Sequence, residues 1–139
     1  MSQAVRRHAI AWVALTLVLA LHVLDEATHD FLGFYNPFVM MLRDVLLVQW
    51  LPTFEFGEWL AGLIAAVVLL LIASRAAFGG SRWIQWVSIP YALLMVLNGC
   101  AHIAGSLYWQ RMVPGVLSAP LLVIAGVWLL VRAAAALRS

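Results

Sequence analysis

Four stretches of the chain are apolar over the length that a membrane-spanning helix needs, which is about 20 residues. They cover about residues 9–28, 55–74, 83–106 and 113–134. A fifth stretch, residues 31–52, is apolar but interrupted by proline, charged and amide residues. The pattern predicts one all-α integral membrane domain over residues 1–139. It would contain four transmembrane helices and one further helix that lies in the membrane interface or re-enters the membrane.

The composition favours a membrane protein over a soluble domain. Hydrophobic residues make up 65% of the chain and charged residues 10%, whereas soluble domains carry about 25% charged residues. The net charge of +2 comes from arginines at the ends of apolar stretches, which is typical of topology signals and not of nucleic-acid binding. The first 20 residues also fit a secretory signal peptide, but we expect them to form the first transmembrane helix.

The arginines also predict how the chain crosses the membrane. With four spans, six of them fall on one side: Arg6, Arg7, Arg75, Arg82, Arg132 and Arg138. Arg43 and Arg111 fall on the other side. Because arginine is enriched in cytoplasmic loops, we expect both termini in the cytoplasm and residues 31–52 on the outer face of the cell (inner) membrane. The sequence "YNP" is expected to begin the helix in that segment and "LPT" to end it.

The first apolar stretch ends in a concentration of polar side chains. His22, Asp25, Glu26 and His29 are three, four and seven residues apart, so they share one face of a helix. Transfer of an ionised side chain from water into hydrocarbon costs on the order of several kcal/mol. The cost is avoided when the side chain is paired, neutralised or bound to a metal. This stripe therefore predicts a functional site.

A second polar pair lies at the same predicted depth. Asn98 and His102 are four residues apart on the third spanning helix. Counted from the cytoplasmic ends at about 1.5 Å per residue, His22 is level with Asn98, and Glu26 is level with His102. The sequence therefore predicts a polar pocket in the outer half of the membrane, open to the periplasm or the exterior.

Imidazole and carboxylate groups spaced in this way on neighbouring helices are typical of zinc and di-iron sites. His22, Glu26 and His102 could bind a divalent metal ion and leave one position open, as in catalytic zinc sites. Five more residues could be further ligands, acid–base groups or outer partners, by which we mean groups that hydrogen-bond to a metal ligand. They are Asp25, His29, Asn98, Glu55 and Glu58. The simpler interpretation is a hydrogen-bonded network that only joins two helices.

The favoured hypothesis is a metal-dependent membrane hydrolase of a lipid-like substrate, with zinc favoured over iron and Asp25 or Glu26 as the general base. The alternative is a non-catalytic membrane subunit, or a module that binds haem or a pigment through His22 or His102. A proton pathway is disfavoured because few polar residues continue toward the cytoplasmic side. The sequence leaves open whether the chain acts alone, as a homo-oligomer or in a larger membrane complex.

Three short motifs resemble those of the HXXEE-domain membrane proteins, a bacterial family of unassigned function. That family carries H-x-x-E-E, N-x-x-x-H and P-G-x-x-T, in this order. The matching segments here are "HVLDE" at 22–26, "NGCAH" at 98–102 and "PGVLS" at 114–118. The resemblance adds Ser118, in place of the threonine, as an outer partner or binding residue. Asp25 replaces the first glutamate, and this shorter acid is less suited to bind a metal directly.

Overall fold

The computed structural model describes residues 1–138 and forms five α-helices in that range. They are α1 (Gln3–Thr28), α2 (Phe31–Leu46), α3 (Phe56–Phe78), α4 (Arg82–Tyr108) and α5 (Ala119–Leu137). α1, α3, α4 and α5 are long and apolar enough to cross a membrane. The predicted all-α fold, with four helices of this kind, is confirmed.

Contacts along the bundle show that α1 and α4 run in the same direction. His8, near the start of α1, contacts Ser88, near the start of α4. Farther along both helices, His22 contacts Asn98. We call the end where α1 begins the terminal end of the bundle, and the end where α1 finishes the site end.

α5 returns antiparallel to α4, and two glycines let these helices approach closely. A Cβ atom at Gly99 would lie 2.7 Å from Val123 Cγ2 and 2.8 Å from the carbonyl oxygen of Ala119. A Cβ atom at Gly126 would lie 2.7 Å from Val96 Cγ2. Small residues at such crossings are a common feature of helix packing in membranes. Because α5 begins at the site end, the start of α1 at Gln3 and the end of α5 at Leu137 both lie at the terminal end.

Two helix starts differ from the sequence expectation. α5 begins at Ala119 and not near residue 113, because residues 114–118 form turns in which Gly115 has a φ of 88°. α2 begins at Phe31, before "YNP", and Pro37 lies inside it. Its start is set by Asp30, whose side chain accepts a hydrogen bond from the Gly33 amide at 3.3 Å.

α2 is fastened to the segment that follows it. The Asn36 amide group donates to the Phe54 carbonyl at 2.9 Å and accepts from the Phe54 amide at 3.1 Å. The Arg43 guanidinium donates to the Leu51 carbonyl. With 16 residues, α2 is about 24 Å long, which is shorter than the roughly 30 Å hydrocarbon core of a bilayer. The segment therefore covers one end of the bundle and does not extend its whole length.

Candidate metal site and adjoining cavity

α1 and α4 bring His22, Glu26 and His102 together at the site end, and we call these three residues the His–Glu cluster. Glu26 Oε1 lies 3.1 Å from His102 Nε2 and 3.5 Å from His22 Nε2. One nitrogen or oxygen atom from each residue lies within 4.8 Å of the others. All three side chains are buried, with at most 7% of their surface exposed. The three residues predicted as metal ligands therefore do meet.

The pairing of heights along α1 and α4 is also confirmed. The Asn98 Nδ2 atom lies 3.4 Å from His22 Nε2, one helical turn below the contact between Glu26 and His102. The His22 and His102 rings pack edge to face, with their centroids 4.8 Å apart. Equal heights follow from the regular rise of two helices that start at the same end of the bundle.

Asp25 and Ser118 form a chain of hydrogen bonds behind His22. The Ser118 hydroxyl lies 2.8 Å from His22 Nδ1 and 2.7 Å from Asp25 Oδ2, and the Ser118 amide donates to the same carboxylate oxygen at 2.9 Å. Ser118 immediately precedes α5, so the carboxylate also lies at the positive end of a helix dipole. Asp25 therefore orients other groups, and within residues 1–138 it is not part of the ligand cluster.

With Asp25 ionised, these hydrogen bonds place the hydrogen of His22 on Nδ1. An ionised Asp25 can only accept, so the Ser118 hydroxyl donates to it, and the Ser118 oxygen accepts from His22 Nδ1–H. His22 Nε2 then carries a lone pair and faces the Glu26 carboxylate, which is a second acceptor. That lone pair can accept from the Asn98 amide, 3.4 Å away, or bind a metal ion. Outer carboxylate partners orient metal-binding histidines in the same way.

Gly115 closes the cluster from the side of the loop before α5. Its φ of 88° lies in the left-handed region, which glycine adopts without strain. A Cβ atom at this position would lie 2.7 Å from His102 Cε1 and 3.0 Å from Glu26 Cγ. The backbone at Gly115 can therefore lie directly against both ligand side chains only because it lacks a side chain of its own.

A large cavity adjoins the cluster between α2 and α4, and we call it the aromatic cavity. Its volume is about 530 Å³. Seven aromatic or imidazole rings line it: Phe31, Phe34, Tyr35, Phe38, His102, Tyr108 and Trp109. Of the cluster residues, His102 alone reaches it, and Asn98 lies beside His102 in the wall. The sequence analysis expected a polar pocket. The aromatic cavity is apolar, and polar side chains line two smaller clefts of about 280 Å³ at this end, one with Asp25 and one with Asp30 and Arg111.

The aromatic lining could have been recognised from the sequence. Phe31, Phe34, Tyr35 and Phe38 are three, four and seven residues apart, which places them on one face of a helix. In the structure, Phe34 and Phe38 meet the Trp109 ring at near-right angles, with centroids 5.1 and 5.7 Å away. This aromatic stripe faces α4, and it is the feature of the candidate site that the sequence analysis missed.

The remaining predicted site residues lie outside the cluster. His29 is half exposed, and its Nδ1 atom lies 3.1 Å from Asp25 Oδ1, at the rim of the site. Glu55 and Glu58 are exposed at the start of α3. In the part of the chain that the structure describes, no hydrogen bond or ion pair joins either glutamate to the cluster. The structure therefore does not bring them into the site.

The His–Glu cluster, its outer partners and the aromatic cavity are the features that bear on function. The three segments that resemble HXXEE-domain proteins all contribute to them, through Glu26, His102 and Ser118. When the chain is compared with protein-family models, curated proteins and solved structures, nothing matches.

Proposed function

We propose that the His–Glu cluster binds a divalent metal ion, zinc in the simplest case, and that the protein is a membrane-embedded hydrolase of a lipid-like substrate. The observation that carries this proposal is the convergence of two imidazole nitrogens and one carboxylate oxygen on a buried point beside an apolar cavity. The proposal also takes the chain to be related to the HXXEE-domain proteins, since all three motif segments meet at this point.

The spacing of the donor atoms supports a metal site. Two ligands of a tetrahedral zinc ion, each about 2.0–2.1 Å from it, lie about 3.4 Å apart. The distances from Glu26 Oε1 to His102 Nε2 and to His22 Nε2 are 3.1 and 3.5 Å. Three protein ligands leave one coordination position for water or substrate, as in catalytic zinc sites. A metal in such a site makes bound water a nucleophile near neutral pH.

The two acids that the sequence offered as general bases have different surroundings. Ser118 engages one carboxylate oxygen of Asp25, and the other lies 3.1 Å from His29 Nδ1, whose nearest acceptor is the Asp25 backbone carbonyl at 2.8 Å. Glu26 directs Oε1 at the two imidazoles. No hydrogen bond engages its Oε2 among the described residues. We therefore assign Glu26 as a ligand whose second oxygen is available to accept a proton, and Asp25 as a positioning residue.

One observation favours the alternative function, a haem- or pigment-binding module. The aromatic cavity is apolar and touches a histidine, as a haem pocket would. However, His102 Nε2 points at Glu26, and His102 Nδ1 lies against Gly115. Glu26 and Gly115 therefore lie next to the two ring nitrogens, and neither nitrogen is free to bind a haem iron in the cavity. For this reason we place the alternative second. Visible absorption of the purified protein discriminates between them, since bound haem gives a Soret band and zinc does not.

The proposal includes a location in the inner membrane with the site on the outer face. Six arginines lie at or near the terminal end, which the positive-inside rule assigns to the cytoplasm. Asp44→Cys and Gly79→Cys, each made in a Cys100→Ala background, test this. An impermeant thiol reagent added to intact cells should label position 44 alone. Labelling of position 79 alone would reverse the topology.

Hydrolysis by the purified protein in lipid nanodiscs tests the function. Fluorogenic esters of increasing chain length should be cleaved by the wild type, lose turnover on chelation and regain it on addition of zinc. Glu26→Gln should be inactive, and His8→Gln, which changes a buried histidine at the terminal end, should be active. Metal-dependent cleavage that is equal in wild type and Glu26→Gln would place the activity elsewhere. An absence of cleavage by zinc-loaded wild type across the whole series would overturn the proposed reaction.

A further inference from the structure

We propose that the aromatic cavity binds the hydrocarbon chain of an uncharged ester lipid and places the ester group beside Asn98 and His102. This inference rests on the proposed hydrolytic function and names its substrate class. It depends on three features of the cavity: its size, the absence of charged side chains from its wall and the position of its polar groups.

The size and lining of the cavity fit a hydrocarbon chain. A volume of about 530 Å³ lies within the range of about 300–1,000 Å³ that is usual for sites that bury a small ligand. Phe34 and Phe38 stack along α2, and the Trp109 ring stands across both of them. Such a wall gains free energy by excluding water from an apolar ligand and offers little to a polar one.

The wall carries no counterion for a charged headgroup. None of its residues is an aspartate, glutamate, lysine or arginine. Arg111 lies over the Phe34 ring, 5.7 Å from its centroid, and lines a separate cleft. Arg43 is engaged by the Leu51 carbonyl. Burial of a phosphate along this wall, away from the His–Glu cluster, would therefore leave an unpaired charge, which favours a neutral lipid.

Among the partly buried polar groups of the wall, those that are free to bind ligand lie at one end of the cavity, beside the cluster, whereas Tyr108 is largely exposed. The hydroxyl of Tyr35 already donates to the Pro52 carbonyl. By contrast, the one hydrogen bond of the Asn98 side chain in residues 1–138 is the 3.4 Å contact with His22. Its amide retains a second N–H that can donate to an ester carbonyl. An elongated ligand with one polar group would therefore bind with that group next to His102.

The reaction on such a ligand balances without a further co-reactant. The oxygen of one water forms a bond to the ester carbonyl carbon, and the bond between that carbon and the alkoxy oxygen breaks. A proton from the water goes to the departing alkoxide, which leaves as the alcohol, and the acyl part leaves as the carboxylic acid. Glu26 Oε2 is the group on this chain that we assign to carry that proton between the two oxygens.

Photoaffinity labelling in lipid nanodiscs tests the inference. The probe is 1-oleoylglycerol with a diazirine in the acyl chain, and the comparison probe is lysophosphatidic acid with the same chain. The neutral probe should label peptides that cover residues 31–42 and 98–113, and excess unlabelled 1-oleoylglycerol should suppress this labelling. Uncompeted labelling in the wild type, or labelling by the anionic probe at an equal level, would overturn the inference.

Two alanines provide a matched pair of variants. Ala104 is exposed and lines the cavity, so Ala104→Phe should reduce labelling about tenfold by occupying space that the ligand needs. Ala65 is equally exposed on α3, outside the cavity wall, and Ala65→Phe should leave labelling unchanged. Equal labelling of two folded variants would contradict the inference.

One further variant separates this inference from the proposed function. His22→Ala, which removes a ligand of the cluster that does not line the cavity, should lose the metal yet keep labelling within about threefold, since most of the binding free energy comes from the apolar wall. Specific labelling by a wild type without metal would uphold the lipid site and overturn the metal enzyme. A metal-dependent hydrolase that shows no specific labelling would overturn the lipid site alone.

Discussion

Each end of the helix bundle buries a histidine in α1, but the two histidines have different neighbours. At the terminal end, His8 is fully buried and its Nε2 atom contacts the Ser88 hydroxyl at 2.7 Å. At the site end, His22 is also fully buried and contacts the Ser118 hydroxyl at 2.8 Å. Only His22 faces a carboxylate, because all six acids of the chain fall between residues 25 and 58.

The comparison shows that burial of a histidine does not by itself mark a functional site. A histidine and a serine joined by one hydrogen bond are sufficient to link two membrane helices. The site end has more polar groups than this purpose needs, and they are arranged around one point. These additional polar groups, together with the adjoining cavity, distinguish the candidate metal site from a polar contact between two helices.

Removal of the central carboxylate should have the largest effect. Glu26→Gln keeps the shape of the side chain but removes the charge that both imidazoles face, so zinc affinity should fall by about 1,000-fold. This exceeds the roughly 10–100-fold loss that is usual for an outer partner. Competition with a chelator of known affinity measures it. Unchanged affinity in Glu26→Gln would exclude Glu26 as a ligand.

Two glycines with positive φ provide the next comparison. Gly115 at the site end and Gly80 at the terminal end have φ values of 88° and 72°. Substitution by alanine at either position should cost about 1–2 kcal/mol of unfolding free energy, since alanine is strained in this region. Only Gly115→Ala should displace His102 and Glu26, and a displacement of this size should lower hydrolysis about 100-fold. Equal activities of the two variants would contradict this assignment.

The two serines that contact the histidines should differ in the same way, with a smaller effect. Ser118→Ala releases His22 from its fixed orientation and should lower zinc affinity by about tenfold. Ser88→Ala should leave zinc affinity unchanged and cost about 1 kcal/mol of unfolding free energy, the usual contribution of one hydrogen bond. Isothermal titration with zinc and thermal unfolding measure the two quantities. Loss of zinc affinity in Ser88→Ala would show that the ends of the bundle are coupled.

The smallest effect is expected at the start of α3. Glu55 and Glu58 are exposed and have no contact with the cluster, so Glu58→Gln should change zinc affinity less than about twofold, within the range of a screened surface charge. A variant with both glutamates substituted should show the same small change in zinc affinity. A tenfold loss would return these residues to the site.

The parts of the structure that follow from helix periodicity could be predicted from the sequence. A regular helix fixes which residues share a face, and a common starting end fixes their height. This is why the sequence predicts that His22 is level with Asn98 and Glu26 with His102, and the structure brings each pair into contact. The four long apolar helices were predictable for the same reason, because length and hydropathy are local properties of the chain.

The parts that depend on loops and on packing between distant segments were not predictable in this way. The expected start of α2 at "YNP" is wrong because Asp30, six residues before the asparagine, caps the helix. The start of α5 was placed too early, since the turn around Gly115 precedes it. The aromatic cavity forms only because α2 packs over α4. Local patterns in the sequence do not predict which helix α2 packs against.

The most direct test of a metal site at this end of the bundle is elemental mass spectrometry of protein purified without a histidine tag. Wild type, His102→Ala and His8→Ala should be compared after each is shown to be folded. We predict near-stoichiometric zinc or iron in wild type and in His8→Ala, and none in His102→Ala. A folded wild type without metal, or metal retained in His102→Ala, would contradict the account and leave a buried hydrogen-bonded network beside a lipid-sized cavity.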